Sequence, residues 1–222
     1  MVQKSPGRPR GRPRSYDPER ALHRATRAFW RAGFAGTSLD DLSAATGMNR
    51  PSLYGAFGDK RALYLAALER YACTSSAAIA DALAPEVPLA EGLERVYERA
   101  LALYFADAAA PLGCFLVGTA VTEAARDRGV RERLGKALSD FTRRFERRLE
   151  IARERGELPP DADPRRLAEL SGAVLHSLAL RARAGDSRAS LRDFARGSVQ
   201  LLLALPAGGA RRARRSPRMR RR

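Results

Sequence analysis

Arg50, Ser52 and Tyr54 stand at alternate positions just after Gly47 and Asn49, with Ser38 before them and Lys60 behind. A guanidinium, two hydroxyls, a phenol and an ammonium in so short a stretch suit the recognition of a polyanion rather than bond breaking. An arginine can donate to both major-groove acceptors of guanine, a contact worth ~1–3 kcal/mol of discrimination. The same arginine could instead clamp a phosphate or sit solvated. Ser38 falls in the first turn of a short helix, where free amides and the helix dipole favour phosphate. Lys60 opens a later helix, where a cation opposes the dipole, so its charge points to an external anion.

The elements that must position these groups are legible between Thr37 and Lys60, TSLDDLSAATGMNRPSLYGAFGDK. Leu39, Leu42 and Ala45 share one face of a first short helix. Thr37 is the expected cap, with Asp40 three residues on completing a capping box. Gly47 stands where the chain leaves that helix in a left-handed conformation. Asn49 caps a second helix, and Pro51 fits its first turn because the amide it lacks has no partner there. Asp59 caps a third, long helix. Two short helices across a glycine turn, about residues 38–57, make a helix-turn-helix, which lays its second helix in a DNA major groove. Residues 49–55 are that helix, and Arg50 and Ser52 at its amino end are the base-contact candidates.

This order of residues resembles the TetR family of bacterial transcriptional regulators. The resemblance rests on Thr37-Ser38-Leu39, Leu42, Ala45, Gly47, Ser52-Leu53-Tyr54, Phe57 and Asp59-Lys60, with Phe29, Gly33 and Phe34 before them, and covers roughly residues 15 to 75. It implies that the Tyr54 hydroxyl and Lys60 each meet a phosphate; a half-buried core tyrosine is the alternative for Tyr54. The expected DNA-contacting set is therefore Thr37, Ser38, Asn49, Arg50, Pro51, Ser52, Tyr54 and Lys60.

Charge adds a second candidate. The 222 residues carry a formal +16, but residues 1–14 contribute +5 and residues 211–222 contribute +8, leaving +3 for everything between. Such tails attract polyanions and do not fold alone. Pro9-Arg10-Gly11-Arg12-Pro13 resembles an AT-hook core, so Arg10 and Arg12 are expected to enter a narrow minor groove. The alternative is an arm of purely non-specific attraction.

Helical periodicity covers the rest, so the fold is expected to be all-α with about nine helices. The organisation read is a basic arm at 1–14, a three-helix DNA-binding domain at 15–75, a helical effector-binding and dimerisation domain at 76–205, and an arginine-rich tail at 206–222. The last two helices are joined by a short loop and should pack antiparallel. By the resemblance they form a four-helix dimer interface, with Leu170, Val174, Leu178, Phe194, Ser198 and Leu201 facing the second copy. The resemblance also implies a cavity in the larger domain. Its expected lining is Tyr97, Leu101, Tyr104, Cys114, Phe115, Thr119, Phe141, Phe145 and His176, although each alone reads as ordinary core. A small, largely apolar effector is the expected ligand. Gly113-Cys114 at a helix start should lower the thiol's pKa, and resembles family members that respond to electrophiles; the alternative is a free cysteine serving as a small buried hydrophobe.

His23 and His176 lie far apart, no metal-ligand spacing occurs, and no glycine-rich phosphate loop is present, so no enzyme, cofactor or metal is expected. No apolar run approaches the ~18 residues needed to span a membrane, and a soluble, cytoplasmic protein is expected. The partners read from the sequence are an operator duplex, a second copy and the effector. The rival to a sequence-specific repressor is an architectural nucleic-acid binder using its arginine tails. An activator with the same fold is not separable from sequence.

Overall fold

A computed structural model of the protein describes residues 17–107 and 109–204. The arm with Arg10 and Arg12, Leu205 and the C-terminal tail lie outside the described residues. Those described are all-α, with no strand among them. The order is α1 (Pro18–Gly36), α2 (Leu39–Thr46), α3 (Arg50–Phe57), α4 (Lys60–Ala82), α5 (Leu89–Tyr104), a π-helical turn (Leu116–Ala120), α6 (Val121–Ala124), α7 (Arg128–Glu154), α8 (Pro164–Ala184) and α9 (Arg188–Ala204). The chain forms two compact units, divided within α4 between Ala67 and Leu68.

In the first unit the Asp17 carboxylate accepts from the amides of Glu19 and Arg20, and Pro18 follows where no amide is needed, so α1 starts there. Near its end Gly33 takes φ 74°, a kink that L side chains resist. Phe29, Leu42, Leu53 and Tyr64 are buried and form the centre of this unit. Phe29 meets Tyr64 edge to face at 5.0 Å, and Phe34 lies 5.1 Å from the same ring.

In the second unit α8 packs on α5, α7 and α9. Leu93, Leu101, Phe145, Leu149 and Leu178 fill the core. After Gly113 the chain does not run on as one regular α-helix. A π turn comes first, and Val121 and Ala125 end up exposed. The wider turn of a π bulge shifts the phase of whatever follows it. Gly113 itself is required, since a Cβ there would lie 2.4 Å from the Ala179 carbonyl oxygen.

Candidate nucleic-acid interface and regulatory cavity

The cap of α2 is one residue later than the sequence reading had it. Ser38 is the N-cap: its hydroxyl accepts from the Asp41 amide at 3.0 Å, and the Asp41 carboxylate accepts from the Ser38 amide at 2.8 Å. Thr37 is almost wholly buried and donates its hydroxyl to the Gly33 carbonyl at 2.6 Å. That removes Thr37 from the DNA-contacting set. Hydrogen bonds from the Ser38 hydroxyl and amide hold the Asp41 carboxyl below its ordinary value.

At the other end of α2, Gly47 is left-handed (φ 72°) and its amide bonds the Ser43 carbonyl at 2.9 Å. The buried Thr46 hydroxyl donates to Leu42 at 2.6 Å and accepts from the Met48 amide at 3.3 Å, which fixes the turn. Asn49 then caps α3 through the Ser52 amide at 2.9 Å. Leu53 is the one fully buried side chain of α3. Burying Leu53 turns the opposite face outward, and Arg50, Pro51, Ser52, Tyr54 and Gly55 are all exposed. Tyr54 is 47% exposed, so about half of the residue is left on the outward face.

Two charges of this face already have local partners. Arg50 donates from Nε and Nη2 to Asp40 Oδ1 at 3.1 and 2.7 Å, and from Nη2 to Oδ2 at 2.7 Å. Sequence reasoning missed Asp40 as a partner of Arg50, because it had assigned that carboxylate to the cap. Lys60 lies half-buried with Nζ 4.5 Å above the Phe34 ring, a cation–π contact. Asp59 caps the start of α4 by accepting from the Ala62 amide at 2.7 Å.

The second unit contains a small cavity of about 70 Å³, walled by residues of α4, α5, the π turn, α7 and α8. Of the expected lining, Tyr104, Cys114, Phe141 and His176 reach it. Tyr97, Leu101, Phe115, Thr119 and Phe145 do not: all are buried as core, with the Tyr97 hydroxyl on the Ser171 carbonyl at 3.2 Å and the Thr119 hydroxyl on Phe115 at 2.8 Å. Tyr71, Ser75, Ile79, Leu103 and Leu175 take their place. The wall is almost entirely apolar. Among the described residues, neither the Tyr104 hydroxyl nor His176 has a hydrogen-bond partner, and burial holds the His176 imidazole below its ordinary pKa. The expected lowering of the Cys114 pKa is overturned. Burial pushes the thiol up, against weaker opposing effects of the Tyr71 hydroxyl at 3.4 Å and two backbone amides.

On α8 and α9 a shallow apolar groove is lined by Leu170, Ala173, Val174, Phe194, Ser198 and Leu201, among others. Leu201 is 70% exposed. Leu178 is wholly buried inside its own chain and leaves the expected interface set. No helix among the described residues is long and apolar enough to cross a membrane.

Residues 21–67 match the family described as bacterial regulatory proteins, tetR family, and residues 90–198 match the tetracyclin repressor-like C-terminal domain. The HTH-type transcriptional repressor ComR of Escherichia coli (strain K12) is 32% identical over 192 residues, covering 86% of this chain and 91% of ComR. A cysteine mutant of the TetR family transcriptional regulator CifR, complexed with 26bp double-strand operator DNA, is similar with TM-score 0.78. The two are 30% identical over 86% of this chain and 98% of that one. A TetR family regulator from Cytophaga hutchinsonii follows at TM-score 0.72 and 26% identity, covering 84% and 92%.

Proposed function

The chain belongs to the TetR family of bacterial regulatory proteins, sequence-specific DNA-binding transcriptional regulators, and from that premise we propose a homodimeric repressor released by a small effector. The observation that carries this reading is the outward row of Arg50, Ser52 and Tyr54, held by the burial of Leu53 against a fixed glycine turn. Arg50 and Ser52 face base edges. Tyr54, Lys60 and the exposed amino end of α2 at Ser38 face phosphates and set the register. Asn49 and Pro51 shape the start of α3 beside them. Two copies, joined through the α8–α9 groove, present two such rows to a palindromic operator. CifR, solved on its operator, supports the same use of this fold.

The first unit is the DNA-binding domain and the second the effector-binding and dimerisation domain. The wall is mainly apolar, with the Tyr104 phenol and His176 imidazole unpartnered among the described residues and the Arg99 guanidinium held by Asp81, so its effector is a small, largely apolar molecule with few hydrogen-bonding groups. Tyr71, Ser75 and Ile79 of its wall belong to α4, the helix that begins at Lys60. An effector that binds two positions of α4 unequally shifts the balance between DNA-bound and free states, by as much as its affinities differ.

Selection of bound sequences from random duplex DNA tests the proposal. A palindromic consensus is the expected result. Equal recovery of all duplexes at matched salt would replace the repressor with an architectural binder.

A further inference from the structure

Arg50 is the residue on which base reading was placed, and the structure shows what holds it. Its partner comes from the other helix of the motif: Asp40 lies in the first turn of α2, Arg50 at the start of α3. The carboxylate takes one side edge of the guanidinium, with contacts from Nε at 3.1 Å and from Nη2 at 2.7 Å to both oxygens. Nη1 makes no hydrogen bond among the described residues. A guanidinium is a planar, rigid fork of five donors. With Nε and Nη2 both held by the carboxylate, Nη1 is the donor left over, and it can reach a guanine O6 or N7 acceptor.

We propose that Asp40 is a specificity-determining positioning residue, which orients Arg50 through the three hydrogen bonds between α2 and α3 so that its free Nη1 donor reads guanine in the major groove. The inference rests on the placing of Arg50 at base edges. An arginine stem loses more rotamer freedom on being fixed than almost any other side chain. The pair is exposed, so Asp40 biases this orientation before the duplex arrives rather than locking it, and the Nη1 donor meets a base edge more often than a phosphate. Asp40 is also an acid on a face that approaches phosphates. It therefore lowers affinity for every duplex while raising the contrast between right and wrong bases.

The test is selection from a random duplex library with the full chain, for the wild type, Asp40→Ala, Asp40→Asn, Arg50→Ala and the double variant. Circular dichroism and thermal melting establish that each variant folds. If Asp40→Ala loses α2, Asp40→Asn keeps the shape and one acceptor oxygen and carries the test. The wild type is expected to prefer guanine at one position of each half-site, and Arg50→Ala to lose that preference. Asp40→Ala should reduce it about tenfold at that position alone, with total binding to mixed duplex unchanged or increased. Asp40→Asn should fall between. In the Arg50→Ala background, removing Asp40 should change no base preference, since it acts only through Arg50. A uniform rise in affinity with guanine preference intact would make Asp40 a mere repelling charge and overturn the proposal. Guanine preference that survives Arg50→Ala would remove the base-reading role of Arg50, and the role of Asp40 with it.

Discussion

At the scale of single residues, Lys60 illustrates how one side chain can serve fold and ligand together. Its ammonium sits 4.5 Å above the Phe34 ring, a contact worth roughly 0.5–1 kcal/mol at a part-exposed site. It also opens α4, where the dipole disfavours a cation. The two effects are of similar size and opposite sign, and the attraction to the exposed Asp41 carboxylate is weak and screened, so folding alone gives little reason for lysine here, and a phosphate does. Lys60→Gln should therefore leave the melting temperature nearly unchanged and weaken all duplexes alike. The slope of log affinity against log salt should become shallower by about 0.9, the loss of one phosphate contact. A filter-binding titration across salt concentrations measures this, and an unchanged slope would confine Lys60 to its ring contact. Cys114 follows the buried-hydrophobe alternative rather than the low-pKa one. The helix start was legible and its amides do pull the thiol's pKa down, but the burial that outweighs them depends on distant helices, which no local pattern records.

At the scale of elements, Glu157 does work that no motif announces. Helix α5 begins after Pro88 with no side-chain cap. Its Leu89 amide is instead satisfied from 68 residues away, by Glu157 Oε2 at 2.7 Å. The same carboxylate accepts from Arg148, a buried arginine that also donates to the Val87 carbonyl at 2.7 Å. Burial alone would raise the Glu157 pKa, but the bonds from Arg148 and Leu89 outweigh it and hold it below the ordinary 4.5. A carboxyl whose pKa is depressed on folding stabilises fully above its unfolded value and loses that contribution as pH falls through the folded one. Stability should therefore hold at neutral pH and decline below 4.5. Glu157→Gln should cost about 2–3 kcal/mol at neutral pH by stranding the Arg148 charge, and should flatten the acid decline. Urea unfolding at several pH values reads both. A neutral cost below about 0.5 kcal/mol would mean that water replaces the carboxylate.

The helix-turn-helix was legible because each of its signals is local: a capping side chain, a left-handed glycine, a proline in a first turn. Its one slip was equally local in origin. Thr37 and Ser38 are both hydroxyls, and each has an aspartate three residues on, so the sequence offers two capping boxes one residue apart. The kink at Gly33 decides between them by placing its carbonyl under the Thr37 hydroxyl. In the second unit the helices were legible from periodicity, but the cavity wall was not. Tyr97 and Tyr104 sit two turns apart on α5, and only the packing of α8, whose Ser171 carbonyl takes the Tyr97 hydroxyl, sends one into the core and leaves the other at the cavity.

At the scale of the whole molecule, specificity comes from pairing two weak readers. One short helix contacts too few base pairs to select a site among many, and a symmetric pair squares the discrimination while fixing the half-site spacing. The surface we propose for that task is the α8–α9 groove, where Leu170 is 46% and Leu201 70% exposed beside Phe194. Adjacent exposed apolar side chains of this kind suit burial against a second copy. Leu201 and Leu178 make a matched pair of tests, since both lie on these two helices but only Leu178 is buried within its own chain. Leu201→Glu should leave the helical content and unfolding of the monomer intact, because the side chain supports nothing inside the chain. It should convert the wild-type dimer to monomer at micromolar concentration, by light scattering. Operator affinity should fall roughly 10²- to 10⁴-fold as the second half-site stops binding intramolecularly, while affinity for an isolated half-site persists. Leu178→Glu should instead unfold the second unit by burying an unpaired charge. A Leu201→Glu protein that stays dimeric and holds its operator would move the subunit interface away from α8 and α9.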